Sequence, residues 1–318
     1  MDGRALAVLM AVILTLGLAG CQTPAASNGG DQAGTGQEGY PVTVTTKSAT
    51  TTVESKPERV VTLSNAAFEN VAALGVEPVG AHVTRTEDLP YFETYRGLPA
   101  LQQQLTDESG KETDYEAIAA LAPDLIVAPD WPVYRDPATL KRLQELAPTL
   151  IFDTLSPGTD WRTGVVQTGQ ALGQEAKARE LVAAAEKQYA SSTREDLRDR
   201  TFSFGLVVDG QIRLGSGGYM LKLTGLQPAA DQKAVEETRK PISYSTESLG
   251  DVQGEIVFLM TRSEAEKENL LKAPAWRDDL DKRVVWLDLA QGEAVNNAGI
   301  LGKTWFAEQL PTVLQDLR

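Results

Sequence analysis

The five residues Val60-Val61-Thr62-Leu63-Ser64 constrain the architecture of this chain more than any other stretch. The run is too short for an ordinary helix and its apolar part does not alternate, so it reads as a strand buried on both faces. Strands of that kind belong to parallel sheets sheathed in helices. The residues after it agree: 66–74 carry apolar side chains at helical spacing and stop at Gly75, and 76–81 form another apolar run. Together they predict a strand–helix–strand unit. The rhythm continues with a helix over 115–121 closed by Ala122-Pro123, a strand over 125–128, a turn at Pro129-Asp130, a helix over 137–146 and a strand over 149–153. Ahead of the first unit, alternation at 41–46 and 51–54 predicts a β-hairpin around 47–50.

The middle of the chain changes character. Residues 161–200 hold no strand-like run; a helix through Leu172 is broken at Gly173, and a second is predicted from about Glu175 to Leu197 with Leu181, Val182, Ala185 and Tyr189 on one side. At 1.5 Å per residue it would be about 35 Å long, enough to cross between two lobes. Beyond it come a strand over 202–208, a glycine-rich turn at 215–218, a short helix at 220–223, strands over 255–260 and 283–287, and a final helix over 303–317. The expected fold class is therefore α/β, with lobes at 40–158 and 200–318 joined by connecting helices over 159–199.

The N-terminus has a different composition. Arg4 precedes an uncharged run over 5–19, shorter than the roughly 20 apolar residues a membrane span needs, and the run reads as a signal-peptide core. It ends in Leu18-Ala19-Gly20-Cys21, which resembles the lipobox of bacterial lipoproteins. Residues 1–20 would be removed, and Cys21, the only cysteine, would be acylated as the first mature residue and hold the protein outside the cytoplasm on the membrane. Residues 22–39 contain no Leu, Ile, Val or aromatic until the fold begins at Tyr40, and with Cys21 they read as a flexible tether.

Thirty basic against 44 acidic residues give a formal charge of −14, which argues against nucleic acid as a partner. One Cys and one His, His82, exclude a disulfide framework and nearly exclude a His/Cys zinc cluster, and no cofactor is expected. Gly299-Ile300-Leu301-Gly302-Lys303-Thr304 imitates the end of a P-loop, but Asn297 stands where its first glycine belongs. Met220 likewise spoils a dinucleotide fingerprint at Gly215-Ser216-Gly217, and no Gly-x-Ser-x-Gly elbow is present. A surface enzyme is therefore a remote alternative to a binding protein.

Several segments from Tyr40 to the C-terminus, in order and spacing, resemble a known family. They are Lys56-Pro57-Glu58-Arg59-Val60-Val61-Thr62-Leu63-Ser64, Ala72-Ala73-Leu74-Gly75-Val76-Glu77-Pro78-Val79-Gly80, Tyr115-Glu116-Ala117-Ile118 leading into Leu121-Ala122-Pro123-Asp124-Leu125-Ile126, Ala171-Leu172-Gly173, Ile242-Ser243 with Glu247-Ser248-Leu249, and Ala273-Pro274-Ala275-Trp276. With the lipobox, they are similar to the substrate-binding lipoproteins of bacterial ABC importers for iron siderophores, haem and cobalamin, the class III periplasmic binding proteins. The resemblance implies two Rossmann-like lobes with parallel-rich sheets, one long rigid connecting helix, little hinge motion and a ligand held in the cleft. It also implies capture of a ferric siderophore and delivery to the transmembrane subunits of a permease, with haem or cobalamin as the alternative ligand. A monomer is expected. The implied docking residues are Glu116, just before Ala117-Ile118, and Glu247, after Ile242-Ser243.

In parallel sheets ligands lie beyond the C-terminal ends of the strands, so the loops there supply the candidate ligand-binding residues. These are Arg85, Trp131, Tyr134, Tyr219, Arg262 and Asn297. Trp131 offers a flat apolar wall, the two arginines offer bidentate contacts to anionic oxygens, and Tyr219 follows glycines that let a ligand approach the backbone. His82 ends a predicted strand and is a candidate haem ligand; a bare metal site is not expected from one histidine.

Overall fold

The computed structural model describes residues 39–103, 105–106, 112–130, 136–154, 160–315 and 317. The hairpin forms as expected from strands β1 (Val42–Thr45) and β2 (Thr50–Val53), with Val44 and Val53 turned inward and Thr43 and Thr52 outward. Behind it stand β3 (Val60–Thr62), β4 (Gly80–Ala81), β5 (Leu125–Pro129) and β6 (Thr149–Phe152), in the order β4-β3-β5-β6 and all parallel. Every residue of these four strands is buried, which is why they read as unbroken apolar runs. Strand β4 is shorter than the predicted 76–81, because Pro78 has no N–H to extend the ladder and pairing starts only where Val79 donates to the Val60 carbonyl. Helices α1 (Asn65–Ala73), α2 (Tyr115–Ala120) and α3 (Ala138–Gln144) follow strands; Ser64 caps α1 and Asp114 caps α2, each accepting from a backbone N–H of the first turn.

Two helices cross between the lobes. Helix α4 (Trp161–Ala171) starts at an Asp160 cap, and α5 (Glu175–Ser191) follows the turn at Gly173. Helix α5 has 17 residues and is about 26 Å long, shorter than the sequence predicts. It stops where Ser191 and Ser192 turn their hydroxyls onto the Gln188 carbonyl, and residues 195–197 form a separate 3-10 turn. It still serves both lobes: Ala178, Val182 and Ala185 pack with the first sheet's core, while Tyr189 lies fully buried in the second core.

The second sheet has β7 (Thr201–Val208) at its centre. Strands β8 (Gln211–Leu214), β9 (Gln227–Pro228), β10 (Ile242–Tyr244), β11 (Ile256–Met260) and β12 (Val284–Leu287) complete it. The order is β10-β8-β7-β11-β12, with β9 also paired to β7. Strands β9, β7, β11 and β12 are mutually parallel along their pairings, whereas β8 and β10 run antiparallel. Around the sheet lie α6 (Ala230–Thr238), α7 (Glu264–Leu271), α8 (Asp278–Asp281), α9 (Leu289–Asn296) and α10 (Ile300–Val313). The short helix expected at 220–223 is a longer 3-10 stretch, Ser216–Thr224. Helix α9 starts where it does because Asp288 and Gln291 make a reciprocal capping box.

The lobes meet directly where α1 faces the start of α10. Asn70 Oδ1 accepts from the Ile300 N–H at 3.0 Å and Glu69 Oε2 from the Gly302 N–H at 2.8 Å, so one lobe caps a helix of the other. The approach demands glycine at 299, where a Cβ would stand 2.6 Å from both the Ala66 carbonyl oxygen and Asn70 Oδ1. Lys303, also buried, donates to the Ala294 and Val295 carbonyls at the end of α9. Its own carbonyl accepts from the Tyr189 hydroxyl at 2.7 Å.

Candidate ligand cavity

A cavity of about 480 Å³ opens beside this contact, bordered by both lobes. From the first lobe come the start of α1 (Ser64, Asn65), the residues after β4 (His82, Thr84), the ends of β5 and β6 (Pro129, Phe152, Asp153, Thr154) and the start of α4 (Asp160, Trp161). The second lobe supplies Ser216, Gly217 and Tyr219 from the 3-10 stretch, Arg239 from the end of α6, and Glu293, Asn296, Asn297 and Lys303 from α9 and α10. The first-lobe wall is the C-terminal edge of a parallel sheet, where strand direction brings loops and helix N-termini together.

Local hydrogen bonds hold this wall. Asn65 donates to the Thr84 carbonyl and accepts from the Thr84 N–H, which pins the loop carrying His82. His82 is more than half buried, and desolvation lowers it from its ordinary value, leaving a neutral imidazole at neutral pH. Asp153, buried at the end of β6, accepts from the Lys47 N–H and from Gln167 Nε2. Asp160 caps α4 and is clamped by Arg162, whose guanidinium also reaches Glu186 at 2.5 Å. Across the cavity, the Tyr219 ring is approached by two cations: Lys222 Nζ lies 4.2 Å and the Arg239 guanidinium 4.9 Å from the ring centroid. Arg239 has a left-handed backbone, φ 58°, a conformation costly for a side-chain-bearing residue and here placed at the cavity edge. Gly217 makes room for the opposite wall, since a Cβ there would stand 2.8 Å from Asn296 Cα.

Two buried groups, Glu69 next to the cavity and Lys303 on its wall, are strongly perturbed. Burial pushes the Glu69 carboxyl up to about 8 despite the N–H groups of Gly302 and Gly299 and the nearby Lys303. Burial likewise lowers Lys303 to about 7, against the attraction of Glu69, Asp160 and Glu293.

The structure brings His82, Tyr219 and Asn297 to this cavity. Arg85 and Arg262 are exposed and do not border it; the Arg262 N–H is taken by Glu266. Trp131 and Tyr134 lie outside the described residues, as does Cys21. Glu116 and Glu247 are exposed, the former in the first turn of α2. Sequence reasoning missed Trp161, Arg239, Glu293 and Lys303. The first of these had a visible signal, an indole directly after the helix-capping Asp160; the others sit on helices that a search confined to loops after strands passes over. Among the described residues, no cluster of three or more His, Cys, Asp or Glu is placed to hold a metal ion, and no helix is long and apolar enough to cross a membrane.

Two sheets flanking a cavity at the strand ends, tied by a helix that serves both cores, are shared with a known group of proteins. The family model described as periplasmic binding protein matches residues 60–278, more than half of the chain. The chain belongs to the periplasmic binding protein family. Among its relatives is the probable siderophore-binding lipoprotein YfiY of Bacillus subtilis, 25% identical over 242 residues that cover 70% of each protein. The iron(3+)-hydroxamate-binding protein FhuD of the same organism is 26% identical over 265 residues, covering 79% of this chain and 78% of FhuD. Among solved structures, Staphylococcus aureus SirA complexed with staphyloferrin B superimposes with a TM-score of 0.68 at 22% identity, covering 86% of this chain and 98% of SirA. This member of the family thus has the class III α/β fold expected from its sequence, with one all-parallel and one mixed sheet.

Proposed function

We propose that this periplasmic binding protein captures a ferric siderophore in its inter-lobe cavity and presents it to an ABC permease, itself carrying out no chemistry. The cavity carries the reading: its wall combines aromatic surface from Trp161 and Tyr219 with fixed polar groups from both lobes, which suits a chelate whose metal is already saturated by its own ligands. The relatives named for siderophores support it. Trp131 and Tyr134, which follow strand β5 and Asp130 in the sequence, are kept as candidate ligand-binding residues on the sequence reading alone. Glu116 and Glu247 are proposed as the carboxylates that meet basic pockets on the permease, and acyl chains on Cys21 as the membrane anchor. Titration of the purified protein with ferric hydroxamates, ferric catecholates, ferric citrate, haem and cobalamin, followed by tryptophan fluorescence, tests the reading. Submicromolar binding of a ferric siderophore is expected, and saturable binding of haem or cobalamin alone would overturn it.

One observation favours haem as a second reading: the neutral His82 imidazole at the cavity wall has the protonation state an axial ligand needs. Haem ligated in this way would show a Soret band that shifts in His82→Ala. The anchor is checked by fractionation, where Cys21→Ala is expected to move the protein from the membrane to a soluble or unprocessed pool.

A further inference from the structure

Among the described residues, Tyr219 is the one aromatic side chain that the second lobe contributes to the cavity wall, and it sits on the 3-10 stretch Ser216–Thr224. Its side chain is held from behind by the last turns of α6. Gln232 fixes that helix in place: its Oε1 accepts from the Phe204 N–H of β7 at 2.9 Å, and its Nε2 donates to the Gly215 carbonyl at 3.0 Å. One turn further on, the Glu236 carbonyl oxygen accepts from the Tyr219 hydroxyl at 3.3 Å. The Glu236 carboxylate accepts from Lys222 Nζ at 3.0 Å, and that ammonium lies 4.2 Å from the Tyr219 ring centroid. The Lys222 side chain is 36% exposed and would turn into water if released, whereas that of Glu236 is 7% exposed and cannot follow it. The buried carboxylate is therefore what keeps the ammonium at the ring. Lys222 and Glu236 stand off the cavity wall, so neither is placed to touch a ligand held there.

Resting on the siderophore reading above, we propose that Glu236 is a positioning residue for ligand capture: through Lys222 and through its own carbonyl it fixes the orientation of the Tyr219 ring against the ferric siderophore. A ring already ordered in the empty protein loses little rotamer freedom when the ligand arrives. A ring released from Lys222 loses that freedom on binding, which costs about threefold to tenfold in affinity.

The test is a double-mutant cycle on the full chain in mild detergent, read by fluorescence titration with Trp161 at the cavity as reporter. The probes are ferrichrome, ferrioxamine B, ferric enterobactin, haem and cobalamin, and the cycle uses the ferric siderophore that the parent binds most tightly. Glu236→Gln keeps the side-chain volume but removes the charge that anchors Lys222. Lys222→Met keeps the apolar stem but removes the ammonium, and it gives a second entry to the cycle should Glu236→Gln melt below the assay temperature. Each is expected to weaken binding about threefold to tenfold in the parent and to have no further effect in Tyr219→Leu, where there is no ring to orient. A purely structural contribution would weaken binding by the same factor with or without the ring. Equal weakening in both backgrounds, or none in the parent, overturns the positioning role while leaving siderophore capture standing. Parent-like affinity in Tyr219→Leu overturns it as well, since the ring would then not meet the ligand. Saturation by haem or cobalamin alone removes the siderophore reading itself.

Discussion

The two lobes meet in two different ways within a short distance. Where α1 faces α10 they are sealed: Glu69 and Asn70 satisfy the open N–H groups of Ile300 and Gly302, and a glycine at 299 admits the backbone contact. Immediately beside this seam they stand apart around a cavity of about 480 Å³. Ser64, Asn65, Ala66 and Asn70 on α1, and Gly299 and Lys303 at the start of α10, border that cavity, so the same two helices build both regions. The difference shows how one pair of helices seals two lobes at one edge and borders a cleft beside it. Capping bonds fix the distance between lobes at one edge, and the width of the gap at the other edge follows from it.

The sharpest way to break that arrangement is Gly299→Ala. Its Cβ would meet backbone and the capping amide at 2.6 Å, and we expect a loss of about 3 kcal/mol in stability, together with ligand affinity, measured by thermal melting and titration. Comparable in size is Glu69→Gln, which keeps an acceptor for the Gly302 N–H but removes the buried acid. In the parent, the fold raises Glu69 from 4.5 to about 8, so it costs nothing below pH 4.5, costs more as pH rises from 4.5 to 8, and is constant above. The variant is therefore expected to gain on the parent by about 3 to 4 kcal/mol between pH 5 and pH 8 in paired melts. Lys303 has the opposite sign: its cost is absent above 10.5 and complete below about 7.

Asn70→Ala removes one cap of α10 and leaves the Ile300 N–H without that acceptor, with about 1 to 2 kcal/mol of destabilisation expected by chemical denaturation. On the cavity side, Tyr219→Leu keeps bulk but loses the ring that Lys222 and Arg239 approach. Stability is expected to change by less than about 1 kcal/mol while ligand binding weakens about tenfold, a separation the seam variants do not show. The smallest effect on either region belongs to Glu116→Ala with Glu247→Ala. Melting and ligand affinity should stay at parent values while cellular uptake of the ligand falls; uptake at the parent rate would remove the docking role.

Much of the scaffold was legible because its signals are local. Fully buried strands such as Leu125–Pro129 show as apolar runs, and Ser64, Asp114 and Asp160 announce helix starts. Strand β8 also had a local signal that went unread: Asp209 and Gly210 both take positive φ in the tight turn after β7, as an Asp-Gly hairpin turn requires. The seam had none. Glu69 and Asn70 look like the polar face of an amphipathic helix, and only the fold reveals that this face caps a helix some 230 residues later. For the same reason Arg85 and Arg262, chosen by position after a strand, point to exposed loop surface, whereas Arg239 reaches the cavity from a helix end that no strand predicts.

Helix α5 divides its buried side chains between two cores, with Ala178, Val182 and Ala185 in one and Tyr189 in the other. Fraying of either lobe would therefore strip the helix of packing that the other lobe relies on. Its backbone amides belong to the last cooperative unit to open, and the protein should lose structure in a single transition, with exchange of deuterium into 175–191 governed by global unfolding.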